Sequence, residues 1–252
     1  MTEAQQPVAF GLIVIGDEVL NGDRVDGHFS AFRRMIQARG HELAWHWLLP
    51  DDPETLAAQL SFSMARPHPV FCCGGIGATP DDHTRACAAE AAGVGLRRHP
   101  GAQALLEEKF GPEVYPNRIL MADLPDEAAL IPNPINQIPG FAIRGHWFLP
   151  GFPKMAWPMA EWVLDQHYGS CSAVAEDTLV VRGVPESRLI PLMERLGRAY
   201  PDLKLFSLPH MGENPHILLG FRGRGALAPA MADLRAALAE AGITDVETRL
   251  GH

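Results

Sequence analysis

Cys72-Cys73-Gly74-Gly75-Ile76-Gly77-Ala78-Thr79-Pro80-Asp81-Asp82-His83-Thr84-Arg85 is the stretch whose reading decides the fold. The apolar run from Pro69 to Cys73 predicts a buried strand. Glycines at 74, 75 and 77 then let the backbone turn tightly and leave bare N–H groups. Thr79 before Pro80 has the pattern of an N-cap followed by proline at the first helical position. The helix is therefore predicted to start at Pro80, with Asp81 and Asp82 in its first turn. Strand, glycine loop and helix start together bind phosphate, because free N–H groups and the helix dipole both favour an anion there. Carboxylates beside a phosphate repel it unless a divalent cation lies between, so the motif itself points to a phosphate-bearing ligand with Mg²⁺. A GGxG loop alone is a weak signal; GGxG continued by T-P-D-D-x-T-R is a much stronger one.

Working outward toward the N-terminus, Val8 to Ile15 is a near-continuous apolar run ending in Gly16, the pattern of a parallel strand buried on both faces. A loop follows, Gly16-Asp17-Glu18-Val19-Leu20-Asn21-Gly22. Asp26 to Arg39 reads as a helix, with Phe29, Phe32, Met35 and Ile36 at helical spacing and Gly40 as its stop. Leu43 to Leu49 predicts a second strand, and Pro53 opens a helix that carries Leu56, Leu60 and Met64 on one face. Strand and helix thus alternate over short connections, which implies a parallel sheet covered by helices on both faces. Ligands of such sheets bind at the carboxyl ends of strands. Three such ends, Gly16 to Gly22, Asp51-Asp52 and Gly74 to Asp82, are expected on one rim.

Toward the C-terminus, Pro100 to Asp123 predicts helix broken at Gly111-Pro112 and Tyr115-Pro116. The prolines from Ile131 to Gly140 exclude a regular helix or central strand. Phe141 to Ile143 and His146 to Leu149 predict a hairpin across Arg144-Gly145; Pro150-Gly151-Phe152-Pro153-Lys154 is another strand-to-helix loop. After Gly169 the order changes. Strands at 178–181, 203–208, 216–221 and 245–250 with helices at 186–198 and 228–241 give β-α-β-β-α-β, the ferredoxin-like pattern. Two domains, 1–169 and 170–252, are expected. The second holds no dense polar cluster.

Composition narrows the function classes. The 252 residues are 47% hydrophobic, enough for one large or two small cores. A net charge of −9 with no basic stripe disfavours nucleic acid as a partner. No apolar run reaches the ~20 residues that cross a bilayer. Cys72, Cys73, Cys87 and Cys171 have no metal or redox spacing, and adjacent Cys72 and Cys73 point to opposite faces of a strand. Reduced thiols and an N-terminus without a signal-peptide pattern predict a cytoplasmic protein.

At this point a resemblance appears. GGIGATPDDHTR, from Gly74 to Arg85, resembles the signature of the molybdopterin-binding (MoaB/Mog) domain family. It is most similar to the version at the N-terminus of CinA, competence/damage-inducible protein A, with Ala78 in place of the family's proline. Gly16 to Gly22 resembles the G-[TD]-E-[LI]-L-x-G that ends the first strand. Pro50-Asp51-Asp52 resembles the segment that holds a catalytic aspartate in Mog enzymes. Asn133-Pro134 with Pro139-Gly140-Phe141, Leu149 to Pro153, and Gly183 to Ser187 are similar to three further family segments, so the match runs nearly end to end.

The resemblance implies a three-layer α/β/α domain with a mostly parallel sheet (MogA/MoaB-like), followed by a small α+β ferredoxin-like domain. It implies a pterin or nucleotide ligand with Mg²⁺ as cofactor. Asp51 and Asp82 stand as catalytic and metal-positioning residues. Gly16, Asp17, Glu18, Gly74, Gly75, Gly77, Thr79, Thr84, Pro150 and Gly151 stand as the ligand and phosphate contacts, and a homo-oligomer is expected. Three activities stay open. They are adenylyl transfer to molybdopterin, metal-dependent cleavage of ADP-ribose-like pyrophosphates as in CinA-type domains, and non-catalytic binding or regulation. Val25-Asp26-Gly27-His28-Phe29 stands where the CinA family has V-N-T-N-A, and the amidohydrolase domain of full-length CinA has no counterpart in this sequence.

Each candidate also has a plainer reading. The glycines alone make a tight turn. Asp82 in a first helical turn would complement the dipole, an effect of about 0.3–1 kcal/mol. Asp51 and Asp52 alone make a turn before Pro53. His28 and His83, as lone histidines, are more often structural than acid–base groups; Lys154 is either a phosphate counter-charge or a surface lysine; Trp157 and Trp162 are expected in the core.

Overall fold

The structure is a computed structural model that describes residues 6–249. The chain divides into two compact units between Cys171 and Ser172. In chain order the first contains β1 (Ala9–Ile15), α1 (Asp17–Leu20), α2 (His28–Ala38), β2 (Glu42–Leu49), α3 (Pro53–Met64), β3 (Val70–Cys73) and α4 (Thr84–Ala92). Then come β4 (Leu96–Arg98), α5 (Pro100–Phe110), β5 (Asp123–Pro125), β6 (Ala129–Ile131), β7 (Gly140–Ile143), β8 (His146–Leu149) and α6 (Pro153–His167). β4 and β5 form a small ladder of their own.

The main sheet has the order β2-β1-β3-β8-β7-β6. β2, β1, β3 and β8 run parallel, while the hairpin across Arg144-Gly145 and its neighbour β6 are antiparallel. Alternate residues of β1 feed two separate layers. Leu12 and Val14 pack with Phe32 and Ile36 of α2 and Val163 and Leu164 of α6. Ile13 and Ile15 pack with Leu56 and Leu60 of α3 and with Phe148. Cys72 joins the second layer and Cys73 the first, as the period of two in a strand requires. Each such fully buried aliphatic or aromatic side chain contributes about 1.5–3 kcal/mol by leaving water, which fixes the register that aligns the strand ends. Trp157 and Trp162 are partly buried against the α6 layer.

The start of α4 departs from the expectation. The helix begins at Thr84, not Pro80. Thr79 does not cap it: the Asp82 carboxylate accepts the backbone N–H and the hydroxyl of Thr79, while the Asp82 N–H donates to the Thr79 carbonyl. Residues 79–82 close into a turn of their own, so Asp81 and Asp82 precede the helix instead of forming its first turn. Pro100 to Asp123 is helix broken where expected: α5, whose Ala102 N–H is capped by His99 Nδ1, ends at Phe110, and short 3₁₀ turns follow at Gly111–Val114 and Arg118–Ala122.

The second unit has β9 (Ala175–Val181), α7 (Ile190–Ala199), β10 (Leu203–His210), β11 (His216–Gly223), α8 (Leu227–Glu240) and β12 (Val246–Thr248). Its antiparallel sheet has the order β10-β11-β9-β12. Leu179, Val181, Leu219 and Phe221 share one core with Leu192 and Leu196 of α7 and Leu234 and Leu238 of α8. This is the ferredoxin-like arrangement. Leu250, the predicted end of the last strand, lies outside the described residues.

Candidate functional site

Parallel pairing places the ends of neighbouring strands side by side. Val14 is level with Cys73, and Cys73 with Leu149. Gly16 donates to the Leu49 carbonyl at 3.1 Å and Gly74 to the Leu149 carbonyl at 3.0 Å, so the loops leaving all four parallel strands are tied together. They surround a cavity of about 650 Å³. Of the predicted residues, Gly16, Glu18, Asp51, Gly74, Gly75, Gly77, Thr79, Asp82, Pro150 and Gly151 line it; Asp17 and Thr84 do not.

The glycine loop needs its glycines. Gly74 has φ +120° and Gly75 φ +65°. A Cβ on Gly74 would sit 2.1 Å from the Ile15 carbonyl oxygen, and one on Gly75 would sit 2.2 Å from Thr84 Oγ1. Among the described residues, the backbone N–H groups of Gly75, Ile76, Gly77 and Ala78 have no hydrogen-bond partner within the protein. Their carbonyl side is held from behind. Thr84 N–H donates to Gly75 O at 3.1 Å, and Arg85 Nε and Nη2 both donate to Gly77 O. Arg85 also reaches the Leu120 and Asp123 carbonyls through Nη1. Burial pulls its pKa down, opposed by the charges of Asp82 and Asp123. Thr84 is fully buried and its hydroxyl has no partner.

The carboxylates divide their tasks. Asp52 caps α3, accepting Thr55 N–H at 2.8 Å, and hydrogen bonding from Thr55, its side chain first and then its N–H, holds the Asp52 carboxyl below the usual range. Asp51, its neighbour, turns to the cavity. Asp51 Oδ2 accepts Asp17 N–H at 3.0 Å, and Asp17 Oδ1 accepts Asp51 N–H at 3.3 Å. Burial pushes the Asp51 carboxyl up; the Asp17 N–H opposes this, and the charges of Asp17, Glu18 and Asp81 add to it. Among the described residues no three His, Cys, Asp or Glu side chains form a ready cation cage. Mg²⁺ does not require one, since it commonly binds one or two carboxylates with phosphate oxygens and waters. The mutual repulsion around Asp51 fits a cation of that kind.

His28 is buried, and its Nε2 lies 3.0 Å from the Gly151 carbonyl. A carbonyl only accepts, so Nε2 carries the proton and Nδ1 keeps a lone pair, which has no partner. Burial lowers its pKa. His28 is thus a strut behind the Pro150-Gly151 loop. His83 occupies the position before α4, with no side-chain cap bond. Lys154 is exposed and does not line the cavity.

Sequence reading missed Arg24, Phe152 and Asn136, all of which line the cavity. Asn136 arrives there because Asn133 Oδ1 accepts the N–H groups of Ile135 and Asn136, folding the proline-rich segment back. The asparagine-proline pattern was a usable signal for that turn. Phe152 sits in the Pro150 to Lys154 loop that the sequence already marks, though not as a contact, and for Arg24 no local pattern existed.

The sequence pattern of the family described as "Probable molybdopterin binding domain" matches residues 11–167. A CinA-like protein of Citrifermentans bemidjiense is 33% identical over 227 residues, covering 86% of this chain and 54% of its own length. The chain thus spans about half the length of the CinA-like relatives it matches. A protein of Aeropyrum pernix is 31% identical over 212 residues, covering 80% of this chain and 79% of its own. Among solved structures, CinA of unknown function from Thermoplasma acidophilum aligns with a TM-score of 0.57 at 26% identity, covering 62% of this chain and 96% of that one. No helix among the described residues is long and apolar enough to cross a membrane. Matched through its glycine loop and across the whole parallel sheet, the chain belongs to the molybdopterin-binding domain family, of the MoaB/Mog type and CinA-like.

Proposed function

We propose that the cavity binds a phosphate-bearing pterin or nucleotide together with Mg²⁺, and that the chain transfers an adenylyl group to molybdopterin. The observation that carries this reading is the run of unpartnered N–H groups from Gly75 to Ala78 on a cavity that also holds carboxylates. Such a run is a concave anion receptor. Asp51 and Asp82 would hold the cation, which screens phosphate charge when bound. The loop N–H groups hold the nucleotide phosphates in line. An oxygen of the pterin phosphate attacks the α-phosphorus of ATP, the α–β bridging bond breaks, and pyrophosphate leaves. Fixed dipoles aimed at the developing charge are the main contribution of the protein.

A second reading is favoured by the identity to CinA-like relatives. In it the same cavity cleaves ADP-ribose with water to AMP and ribose 5-phosphate. Incubating the full chain with Mg²⁺ and either ATP plus molybdopterin or ADP-ribose decides between them. Adenylylated molybdopterin with pyrophosphate supports the first reading, and AMP with ribose 5-phosphate the second. Binding without turnover of either leaves a non-catalytic ligand-binding or regulatory protein. The cytoplasmic location and the homo-oligomeric state belong to the same proposal; size-exclusion chromatography with light scattering tests the latter.

A further inference from the structure

Arg24 is the only Lys, Arg or His among the described residues that line the cavity, against Glu18, Asp51, Asp81 and Asp82. It stands just before Val25 in the segment that departs from the CinA pattern. Its backbone N–H donates to Glu18 O at 2.9 Å, and its Nη1 lies 3.0 Å from Glu18 Oε1. Both side chains are about half exposed, 49% and 42%. An exposed pair of this kind holds weakly, so the guanidinium is available to a competing anion. Its planar fork suits phosphate or carboxylate oxygens.

The Arg24 guanidinium carbon also lies 5.6 Å from the centre of the Phe152 ring. Phe152 enters from the opposite loop, after β8, and is 57% exposed. A large apolar ring left open to water at a cavity is a ready stacking surface for a flat heteroaromatic system. Its neighbour on one side is a cation, which the ring face attracts.

We infer that Arg24 and Phe152 form the specificity element of the site, reading a ligand that joins a flat heteroaromatic ring to an anionic group. Phe152 takes the ring. Arg24 leaves Glu18 and takes the anion together with the N–H groups of the glycine loop. This deepens the phosphate-site reading and rests on it. Pterin and adenine rings share this chemistry, so the test includes both.

Isothermal titration of the full chain would use AMP, 6-carboxypterin, adenosine and ribose 5-phosphate against wild type, Arg24→Gln and Phe152→Leu. Both side chains are exposed, and unchanged thermal unfolding checks that the variants fold. Whichever of AMP and 6-carboxypterin wild type binds more tightly should weaken at least tenfold in each variant. Ribose 5-phosphate should weaken only with Arg24→Gln, and adenosine only with Phe152→Leu. Affinities for AMP and 6-carboxypterin within twofold of wild type in either variant would overturn the inference while leaving the phosphate site standing. No binding of any anionic probe by wild type would overturn the phosphate site itself, and the inference with it.

Discussion

Replacing Asp51 by Asn should stabilise the unliganded protein at pH 7 while removing its function. The Asp51 carboxyl is pushed up by burial first, and the charges of Asp17, Glu18 and Asp81 add to that. A carboxyl raised in the fold is ionised at a cost at neutral pH. Its folded form holds the proton to higher pH than the unfolded one, so wild-type stability rises as pH falls toward the unfolded value of 3.8. Two unit charges ~4 Å apart repel by about 1 kcal/mol in water and about 4 kcal/mol at an effective dielectric of 20. Asp51 is only partly buried, so solvent screening keeps the relief near the lower figure, on the order of 1 kcal/mol. An amide oxygen can still accept the Asp17 N–H, so little bonding is lost. In a chain of this size about 1 kcal/mol moves the melting temperature upward by roughly 2–4 °C. Calorimetry at pH 7 and pH 4 should find the Asn variant ahead at pH 7 and the gap closed at pH 4. A variant that melts several degrees below wild type at pH 7 would refute the argument, because it would make Asp51 a structural anchor and not a strained functional group.

Gly75→Ala should cost clearly more stability than Gly93→Ala. Both have φ near +70°, a backbone cost of about 1–2 kcal/mol for a residue with a Cβ, but only the Gly75 Cβ meets another group, Thr84 Oγ1; equal midpoints in urea would dismiss the close approach. Asp82→Asn should abolish Mg²⁺-dependent turnover with the fold intact by circular dichroism, and near-wild-type turnover would remove Asp82 from the mechanism. His146 is fully buried, and burial holds its pKa at about 4 against an unfolded 6.5. The unfolded chain therefore takes the proton first as pH falls, and roughly 3 kcal/mol of stability should be lost between pH ~6.5 and ~4. His146→Gln should flatten that slope by up to one proton, and an unchanged slope would assign it to other groups.

The fold was legible because the apolar runs were unambiguous. Val8 to Ile15 has no polar residue, and its short length, β-branched content and closing Gly16 favour a strand buried on both faces over a buried helix. The rim was legible because a glycine or aspartate follows each parallel strand within two residues. The start of α4 was not legible. Thr-Pro is a good helix opening by local propensity, and only the competing bond from Asp82 to Thr79 overrides it. Asp51 and Asp52 look alike in sequence, and the side chain that finds Thr55 N–H becomes the cap. Arg24 was hidden because its position at the cavity depends on a loop path with no periodicity. Phe152 sat in a loop already singled out, yet nothing local marks a phenylalanine as exposed.

The back half of the signature has a physical reason that its front half creates. A peptide unit presents an N–H on one side and a carbonyl on the other. A loop that aims consecutive N–H groups into a cavity must therefore turn its carbonyls toward the protein, where each needs a donor. In this chain Thr84 supplies one to Gly75 and Arg85 supplies two to Gly77. Lysine would not replace Arg85, because one ammonium cannot span the Gly77, Leu120 and Asp123 carbonyls with the fork of a guanidinium. The buried positive charge, itself favoured by Asp82 and Asp123, adds to the field that favours an anion at Gly75 to Ala78. T-R is thus tied to GGxG through the carbonyls of the loop, which is why the spacing between them is part of the motif.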